Sequence, residues 1–200
     1  MKLIKKCENL TYGKEIMMKK NVLLEQAHEI LRGLIQKNDI MVDATMGNGH
    51  DTLLLSSLAK EVYAFDIQEQ ALVKTKEKVG TLPHVHLILD SFEHIHDYVK
   101  NYRGVIFNLG YLPQGDTSIT TMHDVTIRTL TMISSHLVKD GFIQIVVYPG
   151  HPEGKVESDA IQQWLKTLNP HHFQITETSF YHQDNDPPYM MMIYKTKDEG

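Results

Sequence analysis

The 200-residue sequence predicts one α/β domain built on a mostly parallel, doubly wound sheet. Two observations carry that prediction. Short β-rich runs alternate with longer helical stretches along the chain, the pattern left by repeated strand–helix–strand crossovers. The last two β-rich runs are joined by only about seven residues, too few for a crossover helix, so they form an antiparallel hairpin near one edge of the sheet.

The elements follow in order. A helix over 21–36 opens at Asn21, a side chain suited to capping, and spaces Leu23, Leu24, Ala27, Ile30, Leu31, Leu34 and Ile35 along one face. Residues 40–45 read as a buried strand running into a glycine turn. A helix over 51–60, a strand over 61–66, a helix over 69–79 and a strand over 85–90 come next. A short helix over 92–102 precedes a strand over 104–108. The polar stretch 109–121 is long for a loop inside a compact domain. A helix over 122–137 leads into an interior strand over 141–148. After a loop over 149–155, a helix over 156–168 is stopped by Asn169-Pro170, and 172–181 with 189–196 make the hairpin.

Composition bounds the chemistry. With 42% hydrophobic and 22% charged residues the chain is an ordinary globular one, and no run approaches the roughly 18 apolar residues of a membrane helix. Cys7, the one cysteine, can form neither an internal disulfide nor a multi-cysteine zinc site, which agrees with a reducing, cytoplasmic setting. His94 and His96, or His171 and His172, lack the helical spacing and third ligand of a zinc site, so no metal is expected. The net charge of −5 does not advertise nucleic acid. It hides an asymmetry, however: residues 1–20 carry six lysines against Glu8 and Glu15. The expected organisation is a basic arm over 1–21 and a single domain over 22–197.

In such a sheet the chemistry sits at the carboxyl ends of the strands. After the first strand, Asp43-Ala-Thr-Met-Gly-Asn-Gly-His-Asp51 sets Gly47 and Gly49 one residue apart before a helix, where glycine lets backbone approach a ligand. Thr45, Asn48 and Asp51 share that turn. Asp66 closes the second strand, where an acidic side chain can accept ribose hydroxyls. Asp90-Ser91 closes the third, at the height where an adenine amino group would be read. Asp43 would repel a pyrophosphate but suits a cationic ligand end, which favours S-adenosylmethionine over NAD.

The fourth strand runs into Asn108-Leu-Gly-Tyr-Leu-Pro113, a variant of the Asn/Asp-Pro-Pro-Tyr signature of amine- and base-methylating enzymes. Asn185-Asp-Pro-Pro-Tyr189 looks closer to that signature but lies between the last two strands. Asn185, Asp186 and Tyr189 are therefore expected as substrate contacts from the hairpin tip. Tyr148 and His151, after the fifth strand, are expected over the pocket mouth.

These segments together resemble the YtqB family of class I methyltransferases: Asp43 to Thr52, Ala64 to Gln68, Phe107 to Pro113, Val147 to Gly154 and Asn185 to Tyr189. The resemblance covers about residues 22–196 and implies a Rossmann-like, seven-stranded methyltransferase fold. One departure is Gln114, where the family pattern has a glycine. The resemblance implies S-adenosylmethionine as cofactor, with Asn48 and the glycine turn at its methionine part, Asp66 and Gln68 at its ribose, and Ser91 and Phe92 at its adenine. It implies Asn108, Leu109, Gly110 and Tyr111 around the methyl group and the incoming amine. Pro113 would line the substrate, and Asp116 or His151 would take the proton.

The implied substrate is the 5-aminomethyl group of the wobble (2-thio)uridine, presented in the tRNA anticodon stem-loop and splayed onto an aromatic such as Tyr111 or Tyr189. Two other readings share these residues: methylation of rRNA or of a small amine, and a non-catalytic nucleotide-binding or NAD-linked module. A homodimer would widen the RNA-facing surface of so small a domain, and no membrane is involved.

Overall fold

The structure, a computed structural model, describes residues 21–110 and 123–198. The elements are α1 (Val22–Leu34), β1 (Ile40–Asp43), α2 (His50–Leu58), β2 (Glu61–Asp66), α3 (Glu69–Val79), β3 (Val85–Leu89), a 3-10 turn (Phe92–His94), α4 (Ile95–Tyr98), β4 (Gly104–Leu109), α5 (His123–His136), β5 (Phe142–Val147), α6 (Pro152–Leu165), β6 (Phe173–Thr178) and β7 (Tyr189–Lys195).

The strands form one seven-stranded sheet in the order β3-β2-β1-β4-β5-β7-β6. β1 to β5 pair in parallel, and β7 lies antiparallel between β5 and β6. The direction of winding reverses between β1 and β4. A ligand crevice therefore opens above the carboxyl ends of those two strands.

Alternation along the strands divides the core into two layers. Val105, Phe107, Ile143 and Ile145 face Phe92, Ile95, Leu130, Ile133, Ile161 and Trp164 on one side. On the other, Met41, Ile106, Phe142, Val146 and Met190 receive Leu23, Ala27 and Leu31 of α1 and Leu54 and Leu55 of α2. Buried Gln144 fastens α1 to this layer, its Nε2 donating to the Ala27 carbonyl at 3.2 Å. Asn21 caps α1 as expected, its side chain accepting the Leu24 N–H.

Several boundaries differ from the sequence reading. The expected helix over 92–102 is a 3-10 turn followed by one helical turn ending at Tyr98, because Val99 is extended and Tyr102 must reach the core ahead of β4. α6 begins at Pro152, not 156: Pro occupies the first turn, where it costs no hydrogen bond, and His151 caps the helix. That helix ends at Leu165, and β4 runs on to Leu109. Among the described residues no helix is long and apolar enough to cross a membrane, and no group of three or more His, Cys, Asp or Glu could hold a metal ion.

Candidate functional site

The turn between β1 and α2 is held from beneath. Asp43 is fully buried; its Oδ1 accepts the Thr45 N–H at 3.2 Å and its Oδ2 the Thr52 hydroxyl at 2.6 Å. Burial, with the nearby Asp51 charge, pushes its carboxyl up to about 7. Asp43 thus shapes the turn rather than reaching a ligand. Gly47 and Gly49 both adopt positive φ, and a Cβ on Gly49 would lie 2.8 Å from the Thr75 Cα. Asn48 Oδ1 is buried with no hydrogen-bond partner among the described residues. An acceptor left so at a helix-opening turn suits a donor supplied by a ligand, such as the ammonium of a methionine moiety.

At the end of β2, Asp66 accepts the Gly47 N–H at 3.0 Å and the Gln68 N–H at 2.9 Å. It joins the second strand end to the glycine turn and keeps lone pairs for further donors. Burial raises its carboxyl above the usual range. At the end of β3, Asp90 accepts from the Ser91 N–H, His94 Nδ1 and the Tyr98 hydroxyl, and the His94 hydrogen bond above all holds its carboxyl below the ordinary value. Ser91 Oγ accepts the Glu93 N–H. The Phe92 ring is buried edge-on against Phe107, so its side chain belongs to the core and only its backbone is left for a ligand. Exposed Ile67, Leu89 and Tyr98 instead offer apolar surface around these two strand ends, a feature that local sequence pattern does not single out.

Asn108, at the end of β4, is tied to both neighbours. Its N–H donates to Thr45 Oγ1 at 2.8 Å, and its Nδ2 donates to Asp51 Oδ2 at 3.3 Å. Asp51 Oδ1 lies 2.6 Å from His28 Nε2 of α1. Leu109 is buried, and the space beside Gly110 is filled by the Tyr148 ring, 3.1 Å from where a Cβ would stand. Burial first, and then Asp51, raise the Tyr148 hydroxyl to about 12, so it is a neutral group here. His28 carries no signal in the sequence, because it sits in an amphipathic helix next to core Ala27 with no motif around it. Tyr111, Pro113 and Asp116, together with Gln114 and the arm over 1–20, lie outside the described residues.

Beyond β5 the outcome is mixed. His151 is a helix cap: its Nδ1 accepts the Gly154 N–H at 3.0 Å, so that lone pair is spent on structure rather than held for a substrate proton. Asp186 forms an ion pair with Lys155 at 3.6 Å, drawing the β6–β7 connection toward the start of α6, and Asn185 beside it is exposed. Tyr189 is a correction. It is the first residue of β7, its ring packs in the core and its hydroxyl meets Ser158 Oγ at 2.9 Å, so it is no substrate platform. The fully exposed aromatic of that connection is Tyr181.

Comparison with known proteins agrees with this fold. A family model described as "Putative rRNA methylase" matches residues 62–194. A tRNA (mnm(5)s(2)U34)-methyltransferase, chloroplastic, from Arabidopsis thaliana is 36% identical over 155 residues. That alignment takes in 69% of this chain, and the chain spans only 57% of the plant protein's length. Among solved structures, a "putative rRNA-methylase" from Clostridium thermocellum superposes with a TM-score of 0.82 at 35% identity, over 88% of this chain and 99% of that one. A "putative methyltransferase" from Streptococcus mutans, solved in complex with SAH, gives 0.80 at 41% identity with the same coverage.

Proposed function

The chain belongs to this rRNA methylase family and is an S-adenosylmethionine-dependent methyltransferase, and from that premise we propose that it methylates the 5-aminomethyl group of the wobble (2-thio)uridine in tRNA. The observation that carries the reading is Asn108. With Nδ2 engaged by Asp51, its Oδ1 stands on the other side of the amide, an acceptor for an amine N–H beside the glycine turn. The likeness to a plant protein described as a tRNA (mnm(5)s(2)U34)-methyltransferase supports the choice of substrate.

S-adenosylmethionine, when bound, supplies a methyl group already activated by its sulfonium. In this reading the chain's residues then have three tasks. Asn48 Oδ1 and the turn from Thr45 to Asp51 hold the methionine end, Asp66 and Gln68 the ribose, and Asp90-Ser91 with the Phe92 backbone the adenine. Asn108 Oδ1 and the Leu109 carbonyl orient the neutral amine, with Gly110, Tyr111, Pro113 and Tyr148 walling it in. Such positioning reaches roughly 7–11 kcal/mol in model reactions. Asp116 accepts the amine's proton, and Asn185 and Asp186 meet the anticodon stem-loop. The domain spans 22–197, and the basic arm over 1–21 meets tRNA phosphates.

Nucleoside mass spectrometry of tRNA from a deletion strain tests the substrate. Accumulation of the aminomethyl(thio)uridine, cleared by adding back the protein with S-adenosylmethionine, is expected; an unchanged tRNA profile overturns the reading. The family's description favours one rival, and methyl transfer to ribosomal RNA in the same assay would establish it.

A further inference from the structure

His28 lies on α1, outside every segment that forms the strand-end crevice, yet its Nε2 is 2.6 Å from Asp51 Oδ1, with both side chains mostly shielded from solvent at 22% and 17% exposure. The contact joins residues 23 positions apart. Asp51 Oδ2 in turn accepts from Asn108 Nδ2. The carboxylate is therefore gripped from two sides, by α1 and by the end of β4.

The Asp51 charge also acts on Lys78 of α3, on Tyr148 just after β5 and on Asp43 beneath the turn, attracting the first and repelling the ionised forms of the other two. A carboxylate released from His28 keeps only Asn108 Nδ2 as a side-chain hydrogen-bond partner among the described residues, and is free to turn away from it. The Asn108 amide then loses the one side-chain contact among the described residues that separates its two ends, because Nδ2, not Oδ1, must face a carboxylate. His28 itself offers the crevice little: with Nε2 engaged, the remaining nitrogen, Nδ1, is the one nearer its own backbone. Nor does α1 depend on it, since Leu23, Ala27 and Leu31 anchor the helix and Gln144 bonds the Ala27 carbonyl.

We propose that His28 is a positioning residue for methyl transfer: by donating Nε2–H to Asp51 it holds the Asn108 amide with Oδ1 turned to the incoming amine. The proposal rests on the reading that Asn108 receives that amine. It adds a residue that acts through two others and comes from a helix remote from the strand ends.

The test uses full-length protein with His28→Ala and His28→Gln. The Gln Nε2 reaches about as far along the side chain as the His Nε2 and can donate the same hydrogen bond. With tRNA carrying the aminomethyluridine, His28→Ala is expected to lower kcat about 10- to 100-fold, as loss of a residue that orients a site group does elsewhere. KM for tRNA and calorimetric affinity for S-adenosylhomocysteine are expected to stay within about threefold. His28→Gln is expected to recover most of kcat, and the Asn108 side-chain amide signals in the NMR spectrum of the S-adenosylhomocysteine complex should shift in His28→Ala and return in His28→Gln.

A kcat for His28→Ala within about twofold of wild type overturns the proposal. So does a loss of S-adenosylhomocysteine affinity as large as the loss of kcat, or a folded His28→Gln no better than His28→Ala. If wild-type protein transfers no methyl group to the tRNA, the substrate reading has failed, and the Asn108 amide signals decide this proposal alone: signals unchanged in His28→Ala overturn it.

Discussion

The backbone N–H of Asn108 donates to Thr45 Oγ1 at 2.8 Å, a bond that spans 63 residues of sequence and pins together the ends of β1 and β4 where the winding of the sheet reverses. It makes the Asn108 side chain separable from the Asn108 backbone: a substitution can remove the amide while the strand end stays in place. Asn108→Ala is therefore expected to reduce methyl transfer by at least about 100-fold, the scale of losing one preorganised polar group at a reacting centre. Calorimetric affinity for S-adenosylhomocysteine should stay near wild type. Equal loss of both would show that the amide serves the cofactor instead.

Asp43 predicts a pH dependence of stability. Its folded-state carboxyl is raised from 3.8 to about 7, chiefly by burial. The folded protein prefers the protonated form, so this group's contribution to stability is fully present below about pH 4 and is lost as pH rises through about 7. Asp43→Asn keeps the shape, accepting the Thr45 N–H through Oδ1 and donating to Thr52 through Nδ2. Urea denaturation between about pH 4.5 and 8 should show wild type losing stability relative to Asp43→Asn, by on the order of a few kcal/mol. Parallel curves for the two proteins would refute the shift.

Gly49→Ala tests the turn itself. The position has φ +74 and its new methyl would meet the Thr75 backbone. The left-handed backbone alone costs about 1–2 kcal/mol for an L residue, before any displacement of α3. A fall in melting temperature with weakened S-adenosylhomocysteine binding is expected; an unchanged variant would mean that α3 yields freely.

Tyr189→Phe separates the core role of that residue from the contact role read in its motif. Removing the hydroxyl that meets Ser158 should cost about 1 kcal/mol of stability, the worth of an ordinary buried hydrogen bond. KM for tRNA should not move. A raised KM at unchanged stability would return Tyr189 to the substrate surface.

The strands and most helices were legible because their signals are local. β2 at Glu61–Asp66 and α3 at Glu69–Val79 show their periodicity within a single short window. The start of α6 is hidden because Pro152 and Gly154 read as loop residues, whereas Pro in a first helical turn with a capping His151 is a start signal. Tyr189 departs from its motif for a related reason. Two prolines before it suggest a surface motif, but the alternation of β7 directs its ring inward. The His28–Asp51 pair could not be read at all. Its two partners belong to separate helices, and only the packing of α1 over the sheet brings them together.

The position of β7 has a consequence for the order in which the chain can fold during synthesis. β6 is made before β7, yet among the described residues β7 is its only neighbour in the sheet, and β5 shows an open edge until β7 fills it. Five parallel strands can assemble as they leave the ribosome, but residues 189–195 must emerge before the sixth has anything to pair with. At translation rates of about 5–20 residues per second, that leaves the apolar edge of β5 bare for seconds, the interval in which a nascent chain is open to chaperones and to mispairing with another copy.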